Sequence, residues 1–174
     1  MKTTIILTVL LVFLCKNDVY GVPRKFAQSE MSYSADGRSN KTYYLSPDKG
    51  NFFLAFLNCL SAGMELATIE SKEESATVKT LLLSTNITDG WKNGYWLSGT
   101  ALAHNETSEY HWFSTGHKII YFDWAPHQPD NTNGIERCIE IGLRNETIGW
   151  NDQNCMLSLG YICQTRGPCT YSGQ

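Results

Sequence analysis

Three carboxylates and two side-chain amides form two short clusters in the last third of the chain. The first is Gln128-Pro129-Asp130 with Glu136 six residues on, and the second is Trp150-Asn151-Asp152. An all-oxygen donor set of this mix suits a hard divalent cation, and calcium takes carboxylate and amide oxygens gathered from more than one loop. The amides of Gln128 and Asn151 add ligands without adding charge, so three carboxylates against one dication leave a modest negative excess. A cis bond before Pro129 would turn Gln128 and Asp130 toward one point, and X-Pro is the linkage at which cis is cheap. Taken singly, each of these residues reads as a turn cap, the usual role of Asn and Asp in loops. Binding would need deprotonated carboxylates, so acid should weaken it.

Two helices and a strand-rich half must hold these clusters. Lys41 to Ser46, with Tyr43, Tyr44 and Leu45, reads as a first strand. Asn51 to Ala62 places Phe52, Phe53, Phe56 and Cys59 at helical spacing, with Gly63 as the stop. Ser71-Lys72-Glu73-Glu74 reads as a capping box, with Ser71 accepting from a free amide and Glu74 reaching back. The helix it starts repeats Val78, Leu81 and Leu82 and ends near Ser84. Beyond Asn86 come short β-prone runs: Tyr95 to Leu97, Tyr110 to Phe113, Ile119 to Phe122, Arg137 to Leu143 and Leu159 to Gln164. Helices first and strands after make an α+β arrangement. Asp123 to Glu136 is a long irregular loop, and such loops in compact domains are more often functional than decorative.

The N-terminus sets the compartment. Lys2 precedes an apolar run from Ile5 to Cys15, and Val19-Tyr20-Gly21 offers a small-residue cleavage site. That run is too short to span a bilayer and reads as a signal peptide over residues 1–21, which predicts a secreted, extracellular protein. A polar arm over 22–40, a domain over 41–164 and a tail over 165–174 follow. The full chain has net charge −3, and loss of Lys2, Lys16 and Asp18 moves it to −4, which points to neither nucleic acid nor an anionic membrane. The mature chain keeps Cys59, Cys138, Cys155, Cys163 and Cys169, an odd number: four suffice for two bridges and one is left over. Asn40, Asn86, Asn105 and Asn145 are glycosylation sequons. Catalysis finds no support, because His104, His111, His117 and His127 are scattered and neither Cys-x-x-Cys, His-Glu-x-x-His nor Gly-x-Ser-x-Gly occurs.

Several of these motifs belong together. The helix cysteine Cys59 with Gly63 and Leu66-Ala67-Thr68-Ile69, Tyr95-Trp96-Leu97-Ser98-Gly99, Gln128-Pro129-Asp130, Trp150-Asn151-Asp152-Gln153-Asn154-Cys155 and Tyr161-Ile162-Cys163 resemble a C-type lectin domain. The resemblance runs from about Lys41 to Gln164, and the Tyr-Trp-Leu-Ser-Gly-Thr wording is similar to secreted arthropod lectins. It implies two helices packed on small antiparallel sheets, a long calcium-binding loop, and disulfides Cys59–Cys163 and Cys138–Cys155. It also implies one calcium held by Gln128, Asp130, Glu136, Asn151 and Asp152, with two vicinal sugar hydroxyls completing the coordination. A second calcium is not expected, because Asn131 and Arg137 stand where acids would be needed and Thr100 to His104 offers no carboxylate.

Amides donate and carboxylates only accept, so their order selects the hydroxyl pair. In the resembled family, Gln-Pro-Asp is the order associated with galactose and N-acetylgalactosamine, which makes glycans with terminal galactose-type sugars the expected partners. The loop after Asp130, Asn131-Thr132-Asn133-Gly134-Ile135, lacks the aromatic that galactose binders often stack on the sugar. His127 and Trp124 are the nearest substitutes, Trp124 reading better as core. Glycan recognition in innate immunity or cell adhesion is the implied role. The competing reading is a protein-interaction domain on the same fold that does not depend on sugar. Cys169, in a polar tail, suggests a disulfide-linked dimer.

Overall fold

A computed structural model describes residues 41–103 and 109–165. The expected signal peptide and arm, Asn40, His104, Asn105 and Cys169 lie outside these residues. The first strand, β1 (Tyr43–Leu45), leads into α1 (Phe52–Ser61), β2 (Glu65–Leu66) and α2 (Lys72–Leu83). Then follow β3 (Tyr95–Thr100), β4 (His111–Trp112), β5 (Cys138–Arg144), β6 (Thr147–Gln153) and β7 (Gly160–Gln164).

Both helices begin and end on local chemistry. The Asn51 side chain caps α1 by accepting from Leu54 N at 2.9 Å. At its far end Gly63 N donates to Leu60 O and Met64 N to Cys59 O, the crossed pair that closes a helix at a glycine. Ser71 caps α2 as its sequence predicts, accepting from Glu74 N at 3.2 Å. Glu74 reaches one residue further back than a capping box requires and accepts from Glu70 N at 2.7 Å. The cause is Lys41, whose ammonium lies 3.0 Å from Glu74 and 2.7 Å from Glu70 and draws both carboxylates to the start of β1.

The strands run in the order β1-β7-β3-β5-β6, with β2 also on β7 and β4 on β3. The sheet is mixed and not wholly antiparallel, since β3 and β7 pair in parallel through Tyr95↔Gly160 and Trp96↔Tyr161. Successive residues divide between two cores. Leu97, Ile139, Ile141 and Ile162 join Val78, Leu81 and Leu82 of α2, whereas Trp96, Cys138, Tyr161 and Cys163 join Phe52, Ala55 and Cys59 of α1. The period-two alternation therefore buries both faces of the sheet, one under each helix. Each fully buried large side chain, such as Trp96, Trp150 or Phe52, contributes roughly 1.5–3 kcal/mol to holding these layers together.

Two disulfides, Cys59–Cys163 and Cys138–Cys155, have the pairing that the resemblance implies. The first ties α1 to β7 across a separation of 104 residues, and the second ties β5 to the segment after β6 across 17. One expected strand does not form. Ile119 to Phe122 forms no strand: Ile119 N bonds Tyr110 O, but Ile120 is 89% exposed and the run has no ladder. Trp150-Asn151-Asp152, which none of the expected strands covers, lies within β6, paired residue for residue with β5 from Cys138↔Gln153 to Arg144↔Thr147. Among the described residues no helix is long and apolar enough to cross a membrane.

Candidate metal centre

The long loop is rooted on the core before it reaches the carboxylates. At its start Asp123 accepts from Ser75 and pairs with Lys79 at 2.7 Å, both on α2. Its backbone then runs beside β6: Trp150 N donates to Asp123 O, and Ala125 N to Trp150 O, each at 2.8 Å. Gly149 permits this approach, since a Cβ there would lie 2.8 Å from Ala125 N. At the far end Arg137 N reaches Gln153 O at 3.1 Å, and Arg137 O accepts from Thr100 Oγ1 at 2.9 Å. Trp124 packs at the edge of the core, with its ring 5.2 Å from Tyr110 and 5.9 Å from Trp150. It is a wall of the loop's base, as its sequence reading has it.

Fully buried Asp152 organises the loop tip. Its carboxylate accepts from Asp130 N at 3.0 Å and from Asn131 N at 2.9 Å, so β6 holds the turn after Pro129 by two charge-assisted hydrogen bonds. The Gln128–Pro129 bond is cis. Asp130 accepts from both the hydroxyl (2.7 Å) and the amide (3.1 Å) of Thr132. Thr132 N also reaches Glu136 Oε2 at 3.1 Å, and Asn131 Oδ1 accepts from Glu136 N at 3.1 Å. Asn131 and Thr132 thus fold the loop back so that Glu136 meets Asp130.

One ligand oxygen from each of Asp130, Glu136 and Asp152 lies within 4.8 Å of the other two. Gln128 joins the group through its Nε2, 3.2 Å from Asp130, which leaves its Oε1 shielded from solvent without a hydrogen-bond partner. Asn151 is buried beside Asp152 in β6 and donates its amide N–H to Glu140 at 2.9 Å.

The electrostatics are those of acids packed together. Burial, aided by the charges of Asp152 and Asp130, pushes Glu136 up to about 7 although Thr132 N opposes the shift. Burial likewise raises Asp152 against the two amides it accepts from. The Thr132 hydroxyl holds Asp130 below the usual carboxylate range. Half-shielded carboxylates that resist ionisation beside an amide oxygen with no donor are the condition a hard cation relieves. The donor set therefore fits calcium.

Sequence reading missed Glu140. This carboxylate is fully buried in β5 with its Oε1 on Asn151 Nδ2, its Oε2 has no hydrogen-bond partner, and burial pushes it up to about 8. It fits only because residue 94 is glycine: a Cβ there would lie 2.1 Å from Glu140 Oε2. The available signal was one acid within the apolar run Cys138-Ile139-Glu140-Ile141, where period-two alternation had no solvent-facing side to offer it. Of the sequons, Asn86 is exposed just past α2 and Asn145 is exposed at the β5–β6 turn.

The lectin C-type domain family matches residues 48–165. "C-type lectin 37Db" of Drosophila melanogaster is 35% identical over 124 residues, which are 71% of this chain and 77% of that protein. Among solved structures, the mouse scavenger receptor C-type lectin carbohydrate-recognition domain is 28% identical with a TM-score of 0.60, covering 76% of this chain and 93% of that one. The herring type II antifreeze protein is 26% identical with a TM-score of 0.59, over 74% of this chain and 93% of its own.

Proposed function

We propose that this chain, which belongs to the C-type lectin domain family, is a secreted calcium-dependent carbohydrate-binding protein with galactose and N-acetylgalactosamine preference. Domains of this family bind carbohydrate and are not enzymes. The observation that carries the reading is the meeting of Asp130, Glu136 and Asp152 at one point with the Gln128 amide beside them. In this reading Gln128, Asp130, Glu136, Asn151 and Asp152 hold one calcium, whose remaining coordination positions take two vicinal sugar hydroxyls. Carboxylates at Asp130 and Glu136 accept from those hydroxyls, and the amides of Gln128 and Asn151 donate to them. Asp152 sets the tip by gripping the backbone of 130 and 131. Glu140 turns the Asn151 NH₂ toward itself, leaving the amide oxygen for the metal.

Sugar contacts of this kind are few and wet, so affinity per site is low and multivalency supplies the avidity. A disulfide through Cys169 would join two sites, and reducing and non-reducing gels test it. Recognition of microbial or host glycans, in immunity or adhesion, follows from such a secreted lectin. A glycan array in calcium and in EDTA tests the reading, using wild type and the double substitution Gln128→Glu with Asp130→Asn. Galactose-type binding that EDTA abolishes and the substitution moves toward mannose supports it. Mannose-only binding by wild type rejects the specificity, and signals indifferent to EDTA reject the metal. One observation favours a second reading, capture of a protein partner: the loop tip presents the aliphatic Ile135, 53% exposed, where a sugar would want an aromatic.

A further inference from the structure

α1 carries no charged residue, and only Asn58 and Ser61 of its ten positions are polar. A helix that is apolar all round is ordinarily covered all round. Phe52, Ala55 and Cys59 meet that condition against the sheet. On the other side Phe53 is 39% exposed, Leu54 46%, Leu57 58% and Leu60 42%. Phe113 (46% exposed) extends this face, its ring 4.9 Å from Phe56 and 6.5 Å from Phe53. The other helix shows what a solvated face looks like in the same domain, since α2 exposes Lys72 and Glu73.

We propose that the outer face of α1 is a self-association surface, on which two copies of this chain pack in a two-fold dimer. Charge selects the occupant. No side chain of the face itself is charged; a charged partner's groups would lose water on it without compensation, whereas a second copy brings an equally uncharged face. A two-fold contact uses one patch on both partners, so the patch is its own complement. Its exposed apolar area, roughly 400 Å² per copy, is about half of what one partner buries in a standard interface, the proportion expected of an interface core inside a polar rim.

The chain's end agrees. β7 closes at Gln164, paired with Glu65 just beyond the end of α1, and Cys163 is bonded to Cys59 within α1. Cys169 stands five residues past Gln164, a reach of at most roughly 17 Å from this corner. Copies joined through α1 therefore bring their two leftover cysteines within range of each other. The helix face makes the dimer and the disulfide locks it, and neither depends on sugar or metal.

Light scattering coupled to size exclusion on the full mature chain tests this with Leu57→Glu, Cys169→Ser and, as a control on α2, Leu83→Glu. Leu57 is exposed, so an unchanged circular dichroism spectrum and melting temperature verify the fold of its variant. The expected result is a dimer for wild type and Leu83→Glu, and a dissociable dimer for Cys169→Ser. Leu57→Glu should weaken self-association roughly 100-fold or more. Dimers that survive Leu57→Glu but vanish with Cys169→Ser would mean that the disulfide alone joins the copies, and would overturn the proposal. So would a monomeric wild type, including one in which truncation of residues 22–40 raises hydrogen exchange across α1 and so identifies that arm as the cover.

Discussion

Replacing Asp152 by Asn separates the residue's two roles, gripping the loop tip and binding metal. The carboxylate accepts from the amides of Asp130 and Asn131 at 3.0 and 2.9 Å. Asn has one acceptor oxygen, so one hydrogen bond worth about 1.5–3 kcal/mol is lost and an NH₂ faces a backbone donor, a further cost of about 1–3 kcal/mol. Against this, the neutral amide escapes the burial penalty that raises the Asp152 carboxyl. The net local cost comes to about 1–3 kcal/mol. In EDTA the amides at 130 and 131 should then exchange hydrogen roughly 5- to 150-fold faster than in wild type. Calcium at a hundred times its dissociation constant should stabilise wild type by about 2.7 kcal/mol and the variant by far less. Unchanged exchange at 130 and 131 in EDTA would refute the anchoring argument, and an equal calcium-induced rise in melting temperature would refute ligation by Asp152.

Three other outcomes follow. Gly94→Ala drives a methyl into Glu140, so it should cost about 1–3 kcal/mol in denaturant unfolding and weaken calcium binding roughly 10-fold through Asn151, though residue 94 is no part of the site. Glu136, raised from 4.5 to about 7 in the metal-free protein, favours the fold below pH 4.5, and that contribution is lost as pH rises through about 7. Calcium affinity should therefore run the opposite way, falling as pH drops from about 7 toward 4.5, with proton uptake on release measurable by calorimetry in buffers of different ionisation enthalpy. Removing Cys59–Cys163 should cost about 4–5 kcal/mol and removing Cys138–Cys155 about 3 kcal/mol, yet the second should lower calcium affinity more because it clamps the ends of β5 and β6 beside the site.

The sequence discloses what is local. Asn51 and Ser71 cap their helices, and Gly63 stops α1, because each acts on backbone groups a few residues away. The five oxygen donors were readable as a set, and three of them meet as carboxylates at one point. What escaped is long-range. β6 hides because Gly149, Asn151 and Asp152 have turn-like composition and become a strand only through seven pairings with β5. Ile119 to Phe122 misleads in the other direction: Ile119 is buried in the core, but Ile120 and Phe122 are exposed and the run has no partner strand. Glu74 is drawn past its capping position by Lys41, more than 30 residues earlier. Glu140 gains its role from Asn151 and Gly94, neither of which is near it in the chain.

If Gln128, Asp130, Glu136, Asn151 and Asp152 make one calcium site that reads galactose-type sugars, a column bearing such a sugar should capture the protein through calcium. Affinity chromatography of the mature protein on immobilised N-acetylgalactosamine should show retention in calcium, elution by EDTA or free galactose, and no retention of Asp130→Asn with Glu136→Gln. Flow-through of wild type in calcium, or retention that survives EDTA, would rule out such a site.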